Sequence, residues 1–146
     1  MRYFASLGWC WMAALAVGLA PAATAVGEPI VEAITPGAAA QQMKAGKAIL
    51  IDVRERNEID GGMAEGARWY PTSSIQSDPD AYKKFLASLP VDQTLVFYCA
   101  SGRRSQAAAD IATESQGRKA ANLGGFKDWK AAGLPVTIPA KTLSPG

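Results

Sequence analysis

Cys99-Ala100-Ser101-Gly102-Arg103-Arg104-Ser105 is the stretch whose residue types and spacing can do chemistry: a thiol, then small residues, a glycine and two guanidinium groups. The run before it, Thr94-Leu95-Val96-Phe97-Tyr98, is β-branched and aromatic, and Gln106-Ala107-Ala108-Ala109-Asp110-Ile111-Ala112 after it has helix-forming composition. The segment therefore reads as strand, tight loop and helix, with Cys99 where the strand ends. Such a loop turns successive backbone N–H groups inward and adds the positive end of a helix dipole, and both stabilise an anion. The nearest candidate anion is the Cys99 thiolate, which is the nucleophilic form of the side chain. Ser101 and Gly102 suit a turn that brings backbone close to a ligand, and Arg104 is placed to pair with an incoming oxyanion.

Composition narrows what can activate that thiol. The 146 residues contain no histidine, which excludes a Cys-His pair, a Ser-His-Asp triad and any imidazole metal ligand. Backbone amides, the helix dipole and arginine remain, so neither metal nor cofactor is expected. The formal net charge is +2, and it makes no electrostatic case for nucleic acid or an anionic membrane as partner.

The N-terminus has a composition of its own. Residues 1–25 carry one charge, Arg2, then a Leu/Ala/Trp/Met-rich run, and Ala23-Thr24-Ala25 fits an A-x-A cleavage site. This is the layout of a secretory signal peptide; the rival reading is a retained membrane anchor. Trp9 before Cys10 excludes a lipoprotein signal. Cleavage predicts a periplasmic or secreted protein that does not associate with the membrane. Its net charge would be +1, and Cys99 would be its only cysteine. A thiol that cannot pair internally in an oxidising compartment is either a buried structural residue or a reactive one; its place at a strand end before Gly102 and two arginines favours the second.

Elsewhere, strands alternate with helices. Thr35 caps a helix that has Pro36 in its first turn and Gly46 as its terminator, and Ala48-Ile49-Leu50-Ile51 follows as a buried strand. At its end Asp52 is expected to cap the next turn, and Arg54 to pair with a carboxylate such as Glu58. Arg68 to Pro71 reads as a short strand, with Trp69 and Tyr70 packed in the core or at its rim. Asp78 before Pro79 opens a helix with Phe85, Leu86 and Leu89 inward, Tyr82, Lys83 and Lys84 on its wet side, and Pro90 after it. Gly117 closes the helix after the cysteine loop, residues 119–123 form a last strand, and Phe126 and Trp129 face the core from a final helix. Residues 139–146 are expected to be a flexible tail. The alternation implies an α/β domain with a central, mostly parallel sheet and helices on both faces. Sites in such sheets lie beyond the carboxyl ends of the strands, where Cys99 is expected.

Three ordered motifs carry a resemblance to the single-domain rhodaneses, the thiosulfate sulfurtransferases. Cys99 to Ser105 is similar to their Cys-x-Ser-Gly-x-Arg-Ser loop, Ile51-Asp52-Val53-Arg54-Glu55 to their Asp-Val-Arg-Glu signature, and Asn122-Leu123-Gly124-Gly125-Phe126-Lys127-Asp128-Trp129 to their Gly-Gly-aromatic-x-x-Trp signature. Gly133-Leu134-Pro135-Val136 matches the usual ending, and the rhodanese domain would span residues 36–138. The family usually has Gly-His-Ile-Pro-Gly-Ala where this chain has Gly62-Met63-Ala64-Glu65-Gly66-Ala67, so Met63 stands at the histidine position and Glu65 at the proline.

The resemblance implies an enzyme that moves sulfane sulfur from a small anionic donor such as thiosulfate, through a Cys99 persulfide, to a thiol or other thiophilic acceptor. The N–H groups of Ala100 to Ser105 would bind the sulfur anion, and Arg103 or Arg104 the departing sulfite, with Arg104 the closer match to the motif. Asp52 and Arg54 would be supporting residues. One alternative is a rhodanese module without turnover, acting as sulfur carrier, redox sensor or binding domain. The other is cysteine phosphatase or arsenate reductase chemistry, against which Arg104 stands five positions after Cys99 where the phosphatase signature needs six.

Overall fold

The computed structural model describes residues 30–146; the expected signal peptide, residues 1–25, lies outside them. Five strands form one parallel sheet: β1 (Glu32–Ala33), β2 (Ala48–Asp52), β4 (Arg68–Trp69), β5 (Thr94–Cys99) and β6 (Ala120–Gly125), in the order β1-β6-β5-β2-β4. A separate antiparallel pair joins β3 (Met63–Ala64) to β7 (Val136–Thr137). The helices are α1 (Pro36–Lys44), α2 (Arg56–Ile59), α3 (Thr72–Ser77), α4 (Pro79–Ser88), α5 (Arg103–Gln116) and α6 (Phe126–Ala131).

Strand parity builds the core on both sides of the sheet. Along β5, Leu95, Phe97 and Cys99 face one layer, where Ile75, Tyr82, Phe85, Leu86, Ala108 and Ala112 of α3, α4 and α5 cover them. Val96 and Tyr98 face the other layer with Leu50, Ala39, Phe126 and Trp129, under α1 and α6. The chain runs from β2 out to β4, then returns to the other side of β2 to lay down β5 and β6. The carboxyl ends of β2 and β5 therefore flank the point where the winding reverses, which is where open α/β sheets bind ligands.

The expected caps are present: Thr35 Oγ accepts the Ala38 N–H at 3.3 Å, Asp78 Oδ1 accepts that of Ala81 at 2.9 Å, and Gly117 ends α5 in the left-handed region. Two expectations are corrected. Tyr82 is fully buried rather than wet, because its i,i+3,i+4 spacing with Phe85 and Leu86 places all three on the packed face of α4. Its hydroxyl is satisfied by donating to the Ala108 carbonyl at 3.0 Å. The last strand runs on to Gly125 instead of stopping at Leu123. A register shift after Phe97 lets Gly124 and Gly125 pair with Tyr98 and Cys99, while Leu123 is the extra residue. In the structure Arg56 donates to the carbonyls of Ala140 and Leu143 at 3.0 and 3.2 Å, and the Gly146 N–H donates to the Trp69 carbonyl at 3.0 Å.

Candidate active site

Between the end of β5 and the start of α5 there are only three residues, Ala100, Ser101 and Gly102. The helix begins at Arg103, so Ser105 belongs to its first turn rather than to a loop. Gly102 makes this possible with a φ of 97°, a left-handed conformation that an L side chain resists. Its N–H then points back at Cys99 and donates to Sγ at 3.0 Å, while the Ser105 hydroxyl lies 3.5 Å from the same sulfur. Cys99 and Ser105 are fully buried, whereas Ala100, Ser101 and Arg103 are exposed.

Two effects act on the thiol in opposite directions. Burial pushes its pKa up; bonding to the hydroxyl and N–H of Ser105 and to the N–H groups of Ser101 and Gly102 outweighs this and holds it below the ordinary value. Sulfur at the positive end of the fourteen-residue α5 gains further from the helix dipole. The arrangement favours the thiolate without a general base.

Arg104 does not face the sulfur as a free cation. Its guanidinium makes two 2.7 Å hydrogen bonds to the Glu58 carboxylate, so α5 is strapped to α2. That corrects the expected pairing of Glu58 with Arg54. Arg54 instead bonds Asp52, two residues away, through Nε at 3.0 Å and a terminal nitrogen at 2.7 Å. The Asp52 carboxylate is completely buried and needs its countercharge within reach, which the neighbouring Arg54 supplies. Arg54 reaches Glu58 only at its backbone carbonyl, 3.3 Å away. Arg103 makes no ion pair among the described residues.

The strap to Arg104 pulls the Glu58 carboxyl down from its ordinary 4.5 to about 2. A carboxylate depressed on folding adds stability above its unfolded pKa and loses it as pH falls through the folded one. The urea midpoint of wild type should therefore exceed that of Glu58→Gln near neutrality. The gap should close between roughly pH 4.5 and 2, read from urea unfolding at several pH values.

The end of β2 is locked by the Asp52–Arg54 pair. The Asp52 carboxylate accepts the Arg54 N–H at 2.9 Å, as the expected cap, and also the Tyr98 hydroxyl. Burial and the adjacent carboxylate raise the Tyr98 phenol, keeping it a donor. Arg54 further donates to the Gly62 carbonyl at 2.8 Å and lies 4.0 Å from the centre of the Phe126 ring. Met63, at the family's histidine position, packs with Ile59 and Trp69, so an apolar cluster occupies that corner.

β6 supplies what the sequence reading left without a role. Asn122 lies opposite Phe97, the last regular pair before the register shift, on the α5 side of the sheet. Its amide donates to the Gly102 carbonyl at 2.9 Å and to Gln106 Oε1 at 3.0 Å, and its oxygen lies 2.8 Å from Ser105 Oγ. The residue was visible only as part of a motif, since one polar residue in a short strand has no periodic signature.

Gly125 approaches the loop even more closely. A Cβ there would sit 2.6 Å from the Ala100 carbonyl oxygen, although the backbone at φ −104° accepts any side chain. Gly125→Ala is therefore a steric test of the cradle. It should cost about 1–3 kcal/mol of stability and raise the pH midpoint of Cys99 alkylation, measured with iodoacetamide.

A family model described as the Rhodanese-like domain matches residues 35–132. The chain belongs to that family. A protein named sulfurtransferase from Allochromatium vinosum is 34% identical over 92 residues, covering 62% of this chain and 79% of the relative. The thiosulfate:glutathione sulfurtransferase of Homo sapiens is 33% identical over 95 residues, covering 60% and 83%. Among solved structures, the human single-domain sulfurtransferase TSTD1 superposes with a TM-score of 0.56 at 26% identity, covering 72% of this chain and 97% of that one. The rhodanese-like fold, a mostly parallel sheet flanked by helices, is thus common to this chain and its relatives, and their names support sulfur transfer as the class of activity.

Proposed function

We propose that this rhodanese-like protein is a sulfurtransferase that carries sulfane sulfur on Cys99. The observation that carries the reading is the cradle itself: Sγ within 3.0 Å of the Gly102 N–H, at a helix start, with its pKa held down by N–H and hydroxyl groups. The thiolate attacks the outer sulfur of thiosulfate. A Cys–S–S bond forms, the sulfur–sulfur bond of the donor breaks, and sulfite leaves with the electron pair. An acceptor nucleophile then attacks the terminal sulfur and returns Cys99 to thiolate. A thiol is the acceptor class supported by the name of the human relative.

Cys99 has no accessible surface, so the reading includes a movement of the loop Ala100–Gly102, whose first two residues are exposed, to admit the donor. Exposed Arg103 takes the role of meeting the anionic donor, and Arg104, held by Glu58, positions the helix start. The phosphatase reading would need Arg104 turned into the cradle. The signal-peptide reading of residues 1–25 places this activity in the periplasm or outside the cell.

Intact mass spectrometry before and after thiosulfate tests the proposal. Gain of one sulfur atom, lost to cyanide with release of thiocyanate, is expected; a folded protein that gains nothing overturns it. Sulfur retained against every acceptor would instead favour a carrier without turnover.

A further inference from the structure

The hydrogen bonds behind the cradle have a direction that the heavy atoms alone determine. Gln106 Nε2 donates to Asp110 Oδ1 at 2.9 Å, which leaves Gln106 Oε1 as an acceptor for Asn122 Nδ2 at 3.0 Å. The Gly124 N–H donates to Asn122 Oδ1 at 3.0 Å, which fixes the same orientation of the amide independently. Asn122 Oδ1 can only accept, so the Ser105 hydroxyl, 2.8 Å away, donates its single proton there. Ser105 Oγ then has only lone pairs to offer Cys99 Sγ at 3.5 Å. It can accept from a thiol but cannot, in that rotamer, donate to a thiolate.

We infer that Asn122 is a positioning residue that parks the Ser105 proton away from the sulfur while Cys99 is a thiol, and yields it when the sulfur becomes an anion. Ser105 is thereby a hydroxyl with two settings. With the thiol present its proton lies on Asn122; with the thiolate or the persulfide anion it turns to the sulfur, and Asn122 Oδ1 keeps the Gly124 N–H. The cradle thus answers the charge on the sulfur by rotation about one bond. The charged groups around it are Arg103, Arg104 and Asp110 on α5, Glu58 on α2, Glu55 before it, Asp52 and Arg54 at the end of β2, and Lys127 and Asp128 on α6. None of them hydrogen-bonds to Ser105 or to Asn122 in the structure.

The inference deepens the sulfur-transfer reading and rests on it for its use, but its test needs no sulfur donor, so the two can fail separately. Iodoacetamide alkylation of the purified protein is followed against pH at Cys99 by peptide mass spectrometry, which separates it from Cys10. Ser105→Ala removes the donor and should raise the midpoint by roughly half a unit to one unit. Asn122→Ala releases the proton to the thiolate and should lower the midpoint by a similar amount. In the double variant the effect of Asn122 should vanish, leaving the midpoint of Ser105→Ala. A rise on Asn122→Ala, or an equal shift with and without Ser105, overturns the inference, since a merely structural role would act in both backgrounds. Should Asn122→Ala not fold, the amide proton of Gly124 reports in the wild type by NMR. It should move with the Cys99 midpoint, and the movement should be lost in Ser105→Ala. A motionless signal, or the same movement without Ser105, overturns it as well.

Discussion

Cys99→Ser should form no persulfide and transfer no sulfur, with activity falling to background while the protein stays folded. The hydroxyl of serine can accept the Gly102 N–H and donate to Ser105 Oγ as the thiol does, so the cradle survives. What is lost is ionisation: a hydroxyl stays protonated under conditions where N–H and O–H donors already hold the Cys99 thiol below its ordinary pKa. Nothing else can replace it, because the chain has no histidine and its other cysteine, Cys10, precedes the domain. Incubation of both proteins with thiosulfate, followed by intact mass and by thiocyanate release with cyanide, checks this. Residual turnover in a folded Cys99→Ser protein would move the chemistry elsewhere. The same cradle predicts that wild-type Cys99 is alkylated with a midpoint below the roughly 8.5 of a free thiol.

The largest expected loss of stability comes from Asp52→Ala. Asp52 is fully buried and Arg54 nearly so, and their contact is supported by the Arg54 N–H and the Tyr98 hydroxyl. Deleting the carboxylate strands a buried guanidinium beside Phe126 and leaves the Tyr98 hydroxyl without its acceptor. Breaking such a pair from one side costs about 3–5 kcal/mol, a large part of the stability of a small domain. Urea unfolding should show a lower midpoint at an unchanged slope. Removing both charges, as Asp52→Ala with Arg54→Met, should cost less than Asp52→Ala followed by any change that leaves the guanidinium in place. If Asp52→Ala unfolds at the wild-type midpoint, the pair is not what holds the end of β2.

The parts of this molecule that were legible in its sequence are those whose cause is local. Pro36 after Thr35, Pro79 after Asp78 and Gly117 at the end of α5 act within one turn, and the apolar runs of β2 and β5 identify buried parallel strands. Cys99 at the mouth of a helix was legible for the same reason. What stayed hidden depends on partners chosen across the sheet. Three arginines and three carboxylates lie near the carboxyl ends of β2 and β5, and sequence spacing alone favours Arg54 with Glu58. The fold instead brings Arg104 to Glu58 across 46 positions. A phenol suits either side of a helix, so Tyr82 reads as wet by type, although its spacing with Phe85 and Leu86 puts it on the packed face, where Tyr70 lies 5.1 Å away. Asn122 stands at the last regular pair before an extra residue in β6, and the Gly124 N–H beyond that bulge donates to its Oδ1; no pattern of hydrophobicity records either.

The parity of β5 has a consequence for how the domain can vary. Tyr98 and Cys99 are neighbours in the chain but belong to opposite faces, one anchoring the charged pair and the other held under α5. Substitutions elsewhere on the strand change size or polarity at one point. Loss or gain of one residue within it would exchange the faces of everything beyond, setting a phenol in the sulfur cradle and a thiol against a buried carboxylate. The length of this strand is therefore as much a determinant of the chemistry as the identity of its last residue, and lineages of the domain are expected to drift in composition here while their residue count stays frozen.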